Sequence, residues 1–333
     1  MEAYIKGISY YLPETILTNE QLVEQFPEWT VEKISKKVGI SERHVTANDE
    51  TAGDMAIKAA EKLIAENNID RSSIDFLLLC TQSPDYHLPS TSCIIQDKLG
   101  LSTKCGAFDF NLGCSGYEYG LAVAKGLVVS GIAKNILLLT AETYTKYIHP
   151  SDKGNRTIFG DGATATLVSN DGFAEIGEFS LGTDGSGAEQ LIVKTGCARH
   201  FNPLNDYQAD EDGGIHSSDH LYMNGKAIFD FTSDVVPPLI EDTLQKNRIK
   251  MDDINLFVFH QANKYMINYI RKLMGIDKER FYIYMENVGN TVSSTIPIAL
   301  CEAAKEGRLN GNVLLAGFGV GLSYGAVVLR GGK

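Results

Sequence analysis

Residues 254–260 read INLFVFH, and residues 74–80 read IDFLLLC. The two stretches lie 180 residues apart, and each is an apolar run of strand length that starts with isoleucine. A second pair follows in the same order, because Asn135–Leu139 is similar to Asn312–Ala316. Several matches in one order predict that the chain contains the same structural unit twice.

Helical and strand patterns alternate within each repeat. The segment Ala52–Ala65 has apolar residues at helical spacing, and Leu239–Gln245 is helical in character. Short, continuously apolar strands between helices are typical of an α/β fold in which helices cover both faces of a sheet. We therefore predict two α/β halves, 1–172 and 173–333, stacked as five layers in the order α-β-α-β-α.

Composition excludes several classes of protein. The 333 residues carry a net charge of −12, which argues against nucleic-acid binding. No apolar run reaches the roughly 18 residues of a transmembrane helix, and the first residues lack a signal-peptide pattern. The six cysteines form no C-x-x-C pair, so we predict no metal site, free thiols and a cytoplasmic location.

Cys114 lies at a predicted junction between a buried strand, Ala107–Leu112, and a helix that follows it. Gly113 and Gly116 flank the thiol and permit a sharp turn. The positive end of a helix dipole favours thiolate over thiol, so we predict a nucleophile. The alternative is an inert buried cysteine, and the local sequence leaves both readings open.

Two further residues suit chemistry at the same site. His260 ends an apolar strand, and the carboxyl ends of strands are where α/β sheets collect ligand sites. Asn290, in the sequence GNT, offers a neutral amide donor. The alternatives are a core histidine with its hydrogen bonds satisfied and an ordinary Gly-Asn turn.

The glycine-rich segment Gly317–Gly321 resembles a dinucleotide loop only superficially, since no βαβ unit follows it. It is better suited to bringing backbone amides close to a carbonyl oxygen. Cysteine, histidine and asparagine together fit two thiol mechanisms. In a hydrolase the histidine deprotonates the cysteine, whereas in a decarboxylative condensing enzyme the histidine and asparagine both donate hydrogen bonds to a second thioester.

The chain resembles the β-ketoacyl-acyl-carrier-protein synthase III family of thiolase-like condensing enzymes. The resemblance runs nearly from end to end and rests on short motifs. These are Tyr11–Pro13, Gly39–His44, Cys114–Gly116, Phe159–Ala163, His260–Asn263, Gly289–Thr291 and Gly317–Gly325. It implies a thiolase-like fold, which is itself a duplicated α/β structure.

The resemblance also implies a reaction and a role for each central residue. Cys114 would accept the acyl group of an acyl-CoA primer, with its own amide and that of Val320 as the oxyanion hole. His260 and Asn290 would polarise malonyl-acyl-carrier protein for decarboxylation and condensation. The enzyme would be a homodimer that needs no cofactor, because coenzyme A enters only as part of the substrate.

Five positions match substrate contacts of the family. Trp29 and Lys153 correspond to the coenzyme A nucleotide site. Two features depart from the family: Lys153 stands where arginine is usual, and the segment between Trp29 and Gly39 is several residues longer than in housekeeping members. Asn263 and Phe229 correspond to the pantetheine tunnel. Leu88 corresponds to a pocket floor that is supplied across the dimer and is often phenylalanine.

Two surface features are predicted as well. Lys264, Arg271 and Lys272 form a basic patch suited to an acidic carrier protein, and a solvated helix face is the alternative reading. The polar stretch from Arg199 to His220 is predicted to be a surface excursion.

Three other functions stay open on the sequence alone. One is non-decarboxylative acyl transfer to an oxygen or nitrogen nucleophile in a specialised pathway. The others are a cysteine thioester hydrolase and a catalytically silent partner subunit. The sequence does not determine the length or branching of the primer, or whether coenzyme A or a carrier protein delivers the donor.

Overall fold

The computed structural model describes residues 2–209 and 215–331. The strands in these ranges are β1 Tyr4–Tyr11, β2 Thr15–Thr18, β3 Glu42–Val45, β4 Phe76–Cys80, β5 Gly106–Phe110, β6 Asn135–Glu142, β7 Gly162–Ser169, β8 Ala174–Thr183, β9 Leu191–Ile192, β10 Gln208–Ala209, β11 Ile215–His216, β12 Tyr222–Met223, β13 Ile254–Phe259, β14 Asn312–Gly319 and β15 Ser323–Gly331. The helices are α1 Asn19–Gln25, α2 Val31–Val38, α3 Ala52–Asn67, α4 Thr91–Lys98, α5 Gly116–Val129, α6 Lys153–Arg156, α7 Gly225–Asn247, α8 Lys264–Leu273 and α9 Thr295–Lys305. None of these helices is long and apolar enough to cross a membrane.

Nine strands form one large sheet in the order β13-β14-β15-β8-β1-β7-β6-β4-β5. Apart from β5, which has no counterpart strand, the order is symmetrical about the antiparallel contact between β8 and β1. On one side β4 is parallel to β6 and β6 is antiparallel to β7. On the other side β13 is parallel to β14 and β14 is antiparallel to β15. The equivalent pairings support the internal repeat that the sequence predicts.

The helices form three layers, and the two halves of this sheet lie between them. Helix α3 packs on β1, β6 and β7, and α7 packs on β8, β14 and β15, so each covers one half from outside. Helix α5 contacts strands of both halves, and α9 contacts β1, β7 and β13. These two helices are therefore the shared central layer, which confirms the predicted α-β-α-β-α fold.

The predicted elements agree with the structure except in two details. The strand before Cys114 is β5, which lies at the edge of the sheet and is half-buried, so the prediction of a buried strand was wrong. Within residues 2–209 and 215–331, no strand pairs with its outer edge. Helix α7 begins at Gly225, well before the predicted Leu239, and continues through Pro237 and Pro238, residues that usually mark the first turn of a helix.

The division of the chain into 1–172 and 173–333 stays a prediction, although β7 ends at Ser169 and β8 begins at Ala174. The Arg199 to His220 excursion is exposed over residues 199–209 and only partly exposed at His220. Residues 210–214 of the excursion lie outside the described residues. Its strand β11 returns to the protein body and brings His216 to the main cavity.

Candidate active site

One cavity of about 880 Å³ is lined by the three residues that the sequence singles out for chemistry. Cys114 lies between β5 and α5, His260 directly follows β13, and Asn290 precedes α9. All three side chains are buried. Cys114 thus meets two residues that follow it by 146 and 176 positions, because α5 and α9 share the central layer and β13 ends beside them.

The Cys114 thiol is held by backbone amides. Burial raises the pKa of this thiol to about 12, and the N–H groups of Val320 and of Cys114 itself, which point at the sulfur, oppose the increase. Burial therefore favours the neutral thiol in the free protein, whereas the two amides and the start of α5 favour the thiolate. The same two amides are the ones predicted to form an oxyanion hole.

The sulfur also lies directly against the backbone of β14. A Cβ atom built on Gly319 would stand 2.7 Å from Sγ of Cys114, closer than real contacts allow. Glycine at this position is therefore what allows the β14 backbone and the amide of Val320 to approach the thiol. This confirms that the glycine-rich segment brings backbone amides to the site and shows why it needs glycine.

The His260 ring is positioned by a residue that does not line the cavity. Its Nδ1 atom lies 2.8 Å from the hydroxyl of Thr295, the first residue of α9. Burial lowers the pKa of the imidazole to about 3, although the carbonyl of Val292 favours the protonated ring. His260 is therefore neutral near pH 7, and its Nε2 atom is the ring nitrogen that remains for the cavity. Thr295 was missed by the sequence analysis.

The carboxamide of Asn290 is oriented by Val292. Its Oδ1 atom accepts a hydrogen bond of 2.9 Å from the Val292 N–H, and its Nδ2 group is the donor, with a long hydrogen bond of 3.4 Å to the carbonyl of Ala262. The backbone of Asn290 is tied to the first half of the chain, because its N–H donates to the carbonyl of Ile158 at 2.9 Å. Val292 has a φ of +57°, which is rare for a β-branched residue and marks a functional constraint.

The outer end of the cavity carries an aromatic side chain with positively charged side chains next to it. Trp29 and Lys153 both line the cavity, and Lys153 forms an ion pair with Glu28. The longer segment after Trp29 folds as α2. This helix places the Nζ atoms of Lys33 and Lys37 5.3 and 5.7 Å from the centroid of the Trp29 ring. Both lysines line the cavity and were missed by the sequence analysis.

The wall between the two ends includes Phe229 and Asn263. Phe229 packs on Tyr265 and Tyr269 of α8, with ring centroids 5.9 and 4.9 Å apart. Asn263 also caps α8, because its Oδ1 atom accepts a hydrogen bond of 2.9 Å from the N–H of Met266. Asn263 therefore has a structural role as well as a place in the cavity wall.

The remaining predicted positions lie outside the cavity. Leu88 is 82% exposed. Lys264 and Lys272 are exposed on α8, whereas the guanidinium of Arg271 donates to the carbonyl of Ile276 at 2.7 Å and fixes the end of this helix. The basic patch therefore presents two lysines, and Arg271 has a structural role. Residues 2–209 and 215–331 contain no group of three or more side chains that could hold a metal ion.

Comparisons with known proteins agree with this geometry. Residues 108–185 match the family described as 3-oxoacyl-[acyl-carrier-protein] synthase III, and residues 244–331 match its C-terminal family. A β-ketoacyl-[acyl-carrier-protein] synthase III of Clostridium perfringens is 38% identical, over 97% of this chain and 98% of its own length.

Solved structures give the same result. A crystal structure of a 3-oxoacyl-(acyl-carrier-protein) synthase III is 46% identical, with a TM-score of 0.97 over 99% of this chain and 100% of its own. The 3-oxoacyl-(acyl-carrier protein) synthase of Burkholderia xenovorans is 34% identical, with a TM-score of 0.92 over 100% of this chain and 95% of its own.

Proposed function

This chain belongs to the β-ketoacyl-[acyl-carrier-protein] synthase III family, and from that premise we propose a reaction in two steps on Cys114. In the first step the sulfur attacks the thioester of an acyl-CoA. The new C–S bond forms, the bond to the coenzyme A sulfur breaks, and the coenzyme leaves as its thiol. The amides of Cys114 and Val320 stabilise the negative oxygen that develops.

In the second step His260 and Asn290 donate hydrogen bonds to the thioester oxygen of malonyl-acyl-carrier protein. The bond between the methylene carbon and the carboxylate breaks, carbon dioxide leaves, and its electron pair remains as an enolate that the two donors stabilise. The enolate carbon then attacks the acyl-Cys114 carbonyl, and the Cys114 sulfur leaves. The thiolate that leaves takes up a proton from water and becomes the thiol again. The product is a 3-oxoacyl-acyl-carrier protein, and no step requires a cofactor.

The observation that carries this proposal is the meeting of Cys114, His260 and Asn290 in one buried cavity, with two backbone amides directed at the sulfur. A covalent acyl intermediate needs the first group and the amides, and decarboxylation needs the other two. The family relationship does not favour non-decarboxylative acyl transfer or thioester hydrolysis.

The outer end of the cavity suits the nucleotide of coenzyme A. Trp29 offers a flat aromatic face, and Lys33, Lys37 and Lys153 supply positive charge for its phosphates, on a chain with a net charge of −12. Phe229 and Asn263 line the path from there to Cys114. Lys264 and Lys272, both exposed on α8, are suited to an acidic carrier protein.

The protein works as a cytoplasmic homodimer in this proposal. Strand β5 is an edge strand within one protomer, and Phe108 on it is 39% exposed. An apolar edge strand is a surface that natural proteins cover, and a second copy would cover it. Leu88, 82% exposed, is then available to complete a cavity across the dimer. All six cysteines are free, which is consistent with a reducing compartment.

The acylation of Cys114 tests the proposal directly. After incubation with a panel of acyl-CoAs, the intact wild-type protein should gain the mass of one acyl group, and Cys114→Ala should gain none. Cys197→Ala is the matched control, because Cys197 is exposed and lies outside the cavity lining. Equal labelling of Cys114→Ala would contradict the proposal, and the acyl group that is retained identifies the preferred primer.

A further inference from the structure

The Thr295 hydroxyl lies between two groups that compete for its proton. Its Oγ1 atom is 2.8 Å from Nδ1 of His260 and 3.0 Å from the carbonyl oxygen of Val292. All three residues are buried, so the contacts are shielded from bulk water. A hydroxyl has one proton, and it donates to either the ring nitrogen or the carbonyl.

The position of the ring proton depends on this choice. A neutral imidazole carries one proton, either on Nδ1 or on Nε2, and the hydrogen bond at one nitrogen determines the state of the other. When Thr295 donates to Nδ1, that nitrogen is an acceptor and the proton is on Nε2. When Thr295 donates to Val292, Nδ1 carries the proton and donates to Oγ1.

Only one of these two states serves the condensation. The proposed function, on which this inference rests, requires His260 to donate a hydrogen bond into the cavity, and this requires a proton on Nε2. Within residues 2–209 and 215–331, the Thr295 hydroxyl is the only group at hydrogen-bond distance from Nδ1 that could donate to it. Without it, Nδ1 would face the Val292 carbonyl alone and would have to carry the proton itself.

We propose that Thr295 is a positioning residue that places the His260 proton on Nε2 and thereby makes the imidazole a hydrogen-bond donor to the malonyl thioester. Thr295 does not contact the substrate. It acts through the tautomer of His260, so its removal affects decarboxylation and leaves the acylation of Cys114, which depends on the backbone amides, in place.

Two substitutions separate the hydroxyl from the shape of the side chain. Thr295→Val removes the hydroxyl and keeps the branched shape, and Thr295→Ser keeps the hydroxyl. Thr291→Val is the matched control, because the Thr291 hydroxyl is also buried in this segment and makes no hydrogen bond in the structure. Thr295→Ala is a second variant without the hydroxyl, should valine at this position prevent folding.

The first measurement needs no substrate. Nitrogen-15 spectra of protein labelled in its histidine rings report which nitrogen carries the proton, and the His260 signals are assigned by their loss in His260→Ala. We expect the Nε2–H form in the wild type, Thr295→Ser and Thr291→Val, and the Nδ1–H form in Thr295→Val. An Nε2–H ring in Thr295→Val and Thr295→Ala would overturn the proposal.

The second measurement follows the two half-reactions. Release of carbon dioxide from malonyl-acyl-carrier protein should fall about 100-fold in Thr295→Val and should stay within about threefold of wild type in Thr295→Ser. Acylation by acyl-CoA should change by less than about threefold in both. Unchanged decarboxylation in Thr295→Val would also refute the role of Thr295. A wild-type protein that is never acylated would instead refute the proposed function and leave the ring spectra interpretable.

Discussion

The two halves of the molecule place different residues at the same point of the fold. Strand β4 ends at Cys80, and β13 is followed by His260, 180 residues later in the repeat. Cys80 is buried and donates to the Leu112 carbonyl at 3.1 Å, and it is not among the residues that line the cavity. His260 lines the cavity. One copy of the strand end therefore supports the loop that carries Cys114, and the other provides a polar group to the site.

The loops before the two central helices differ in the same way. The loop before α5 carries the thiol, and the loop before α9 carries the carboxamide of Asn290. Duplication brought two equivalent loops to one cavity, and each then took a different role. A duplicated fold therefore provides each loop and strand end twice. The proposed two-step reaction uses one copy for its nucleophile and the other copy for its neutral hydrogen-bond donors.

Substitutions at the two paired strand ends should differ most in their effect on the reaction rates. His260→Ala removes a donor from the second step, so decarboxylation should fall about 1000-fold while acylation of Cys114 remains. Cys80→Ser keeps a donor for the Leu112 carbonyl and should change either rate by less than about threefold. Single-turnover acylation and carbon dioxide release measure the two steps separately.

The acylation result also decides between two roles for the imidazole. If His260→Ala lost acylation as well, His260 would be the base that deprotonates the Cys114 thiol, as in a cysteine hydrolase. A large effect of Cys80→Ser would show that the two strand ends are not as different as the cavity lining indicates.

Two glycines allow a similar test of the approach of β14 to the thiol. Gly319→Ala would place a Cβ 2.7 Å from the Cys114 sulfur and displace it, and a displacement of about 1 Å costs about 100-fold in rate. Gly126→Ala on α5 meets nothing within 4 Å and should leave activity unchanged while stabilising the helix by about 0.5–1 kcal/mol. Acylation rates and urea unfolding measure these effects. Normal acylation in Gly319→Ala would show that the backbone can move away.

The pattern of apolar strands was enough to predict the layered fold. Strand β4 lies within the run 74–80 that the repeat identifies, because its sequence is apolar throughout and ends where the chain becomes polar. The residues at the strand end and in the two loops, Cys114, His260 and Asn290, were also predicted, since each interrupts an apolar or small-residue segment with a reactive side chain. The structure brings these three together.

The features that the sequence could not show depend on three-dimensional neighbours. The pKa of Cys114 is set by burial, which no local pattern gives. Thr295 is an ordinary first residue of a helix until its contact with His260 is known. Lys33 and Lys37 are separated by one helical turn, so they share a face, but the sequence did not show that this face lies on Trp29.

The last and smallest expected effect concerns the two central helices. Glu118 on α5 is fully buried, and neither of its carboxylate oxygens makes a hydrogen bond in the structure, whereas the residues of α9 that face the core are almost all apolar. Burial raises the pKa of the Glu118 carboxyl well above its usual range. The unfolded chain releases this proton near pH 4.3 and the folded protein retains it, so stability decreases as the pH rises.

The expected slope from this one group is about 1.4 kcal/mol of unfolding free energy for each pH unit above pH 5. Glu118→Gln and Glu118→Met should both remove this contribution, because neither side chain ionises. Glu142, whose pKa burial raises to about 8, contributes with the same sign and remains in both variants. Urea unfolding at pH 5, 6 and 7, at one protein concentration, measures the slope. If the slopes of the wild type and Glu118→Gln were equal, Glu118 would be ionised in the folded protein, and the contrast in polarity between α5 and α9 would be larger than a neutral carboxyl gives.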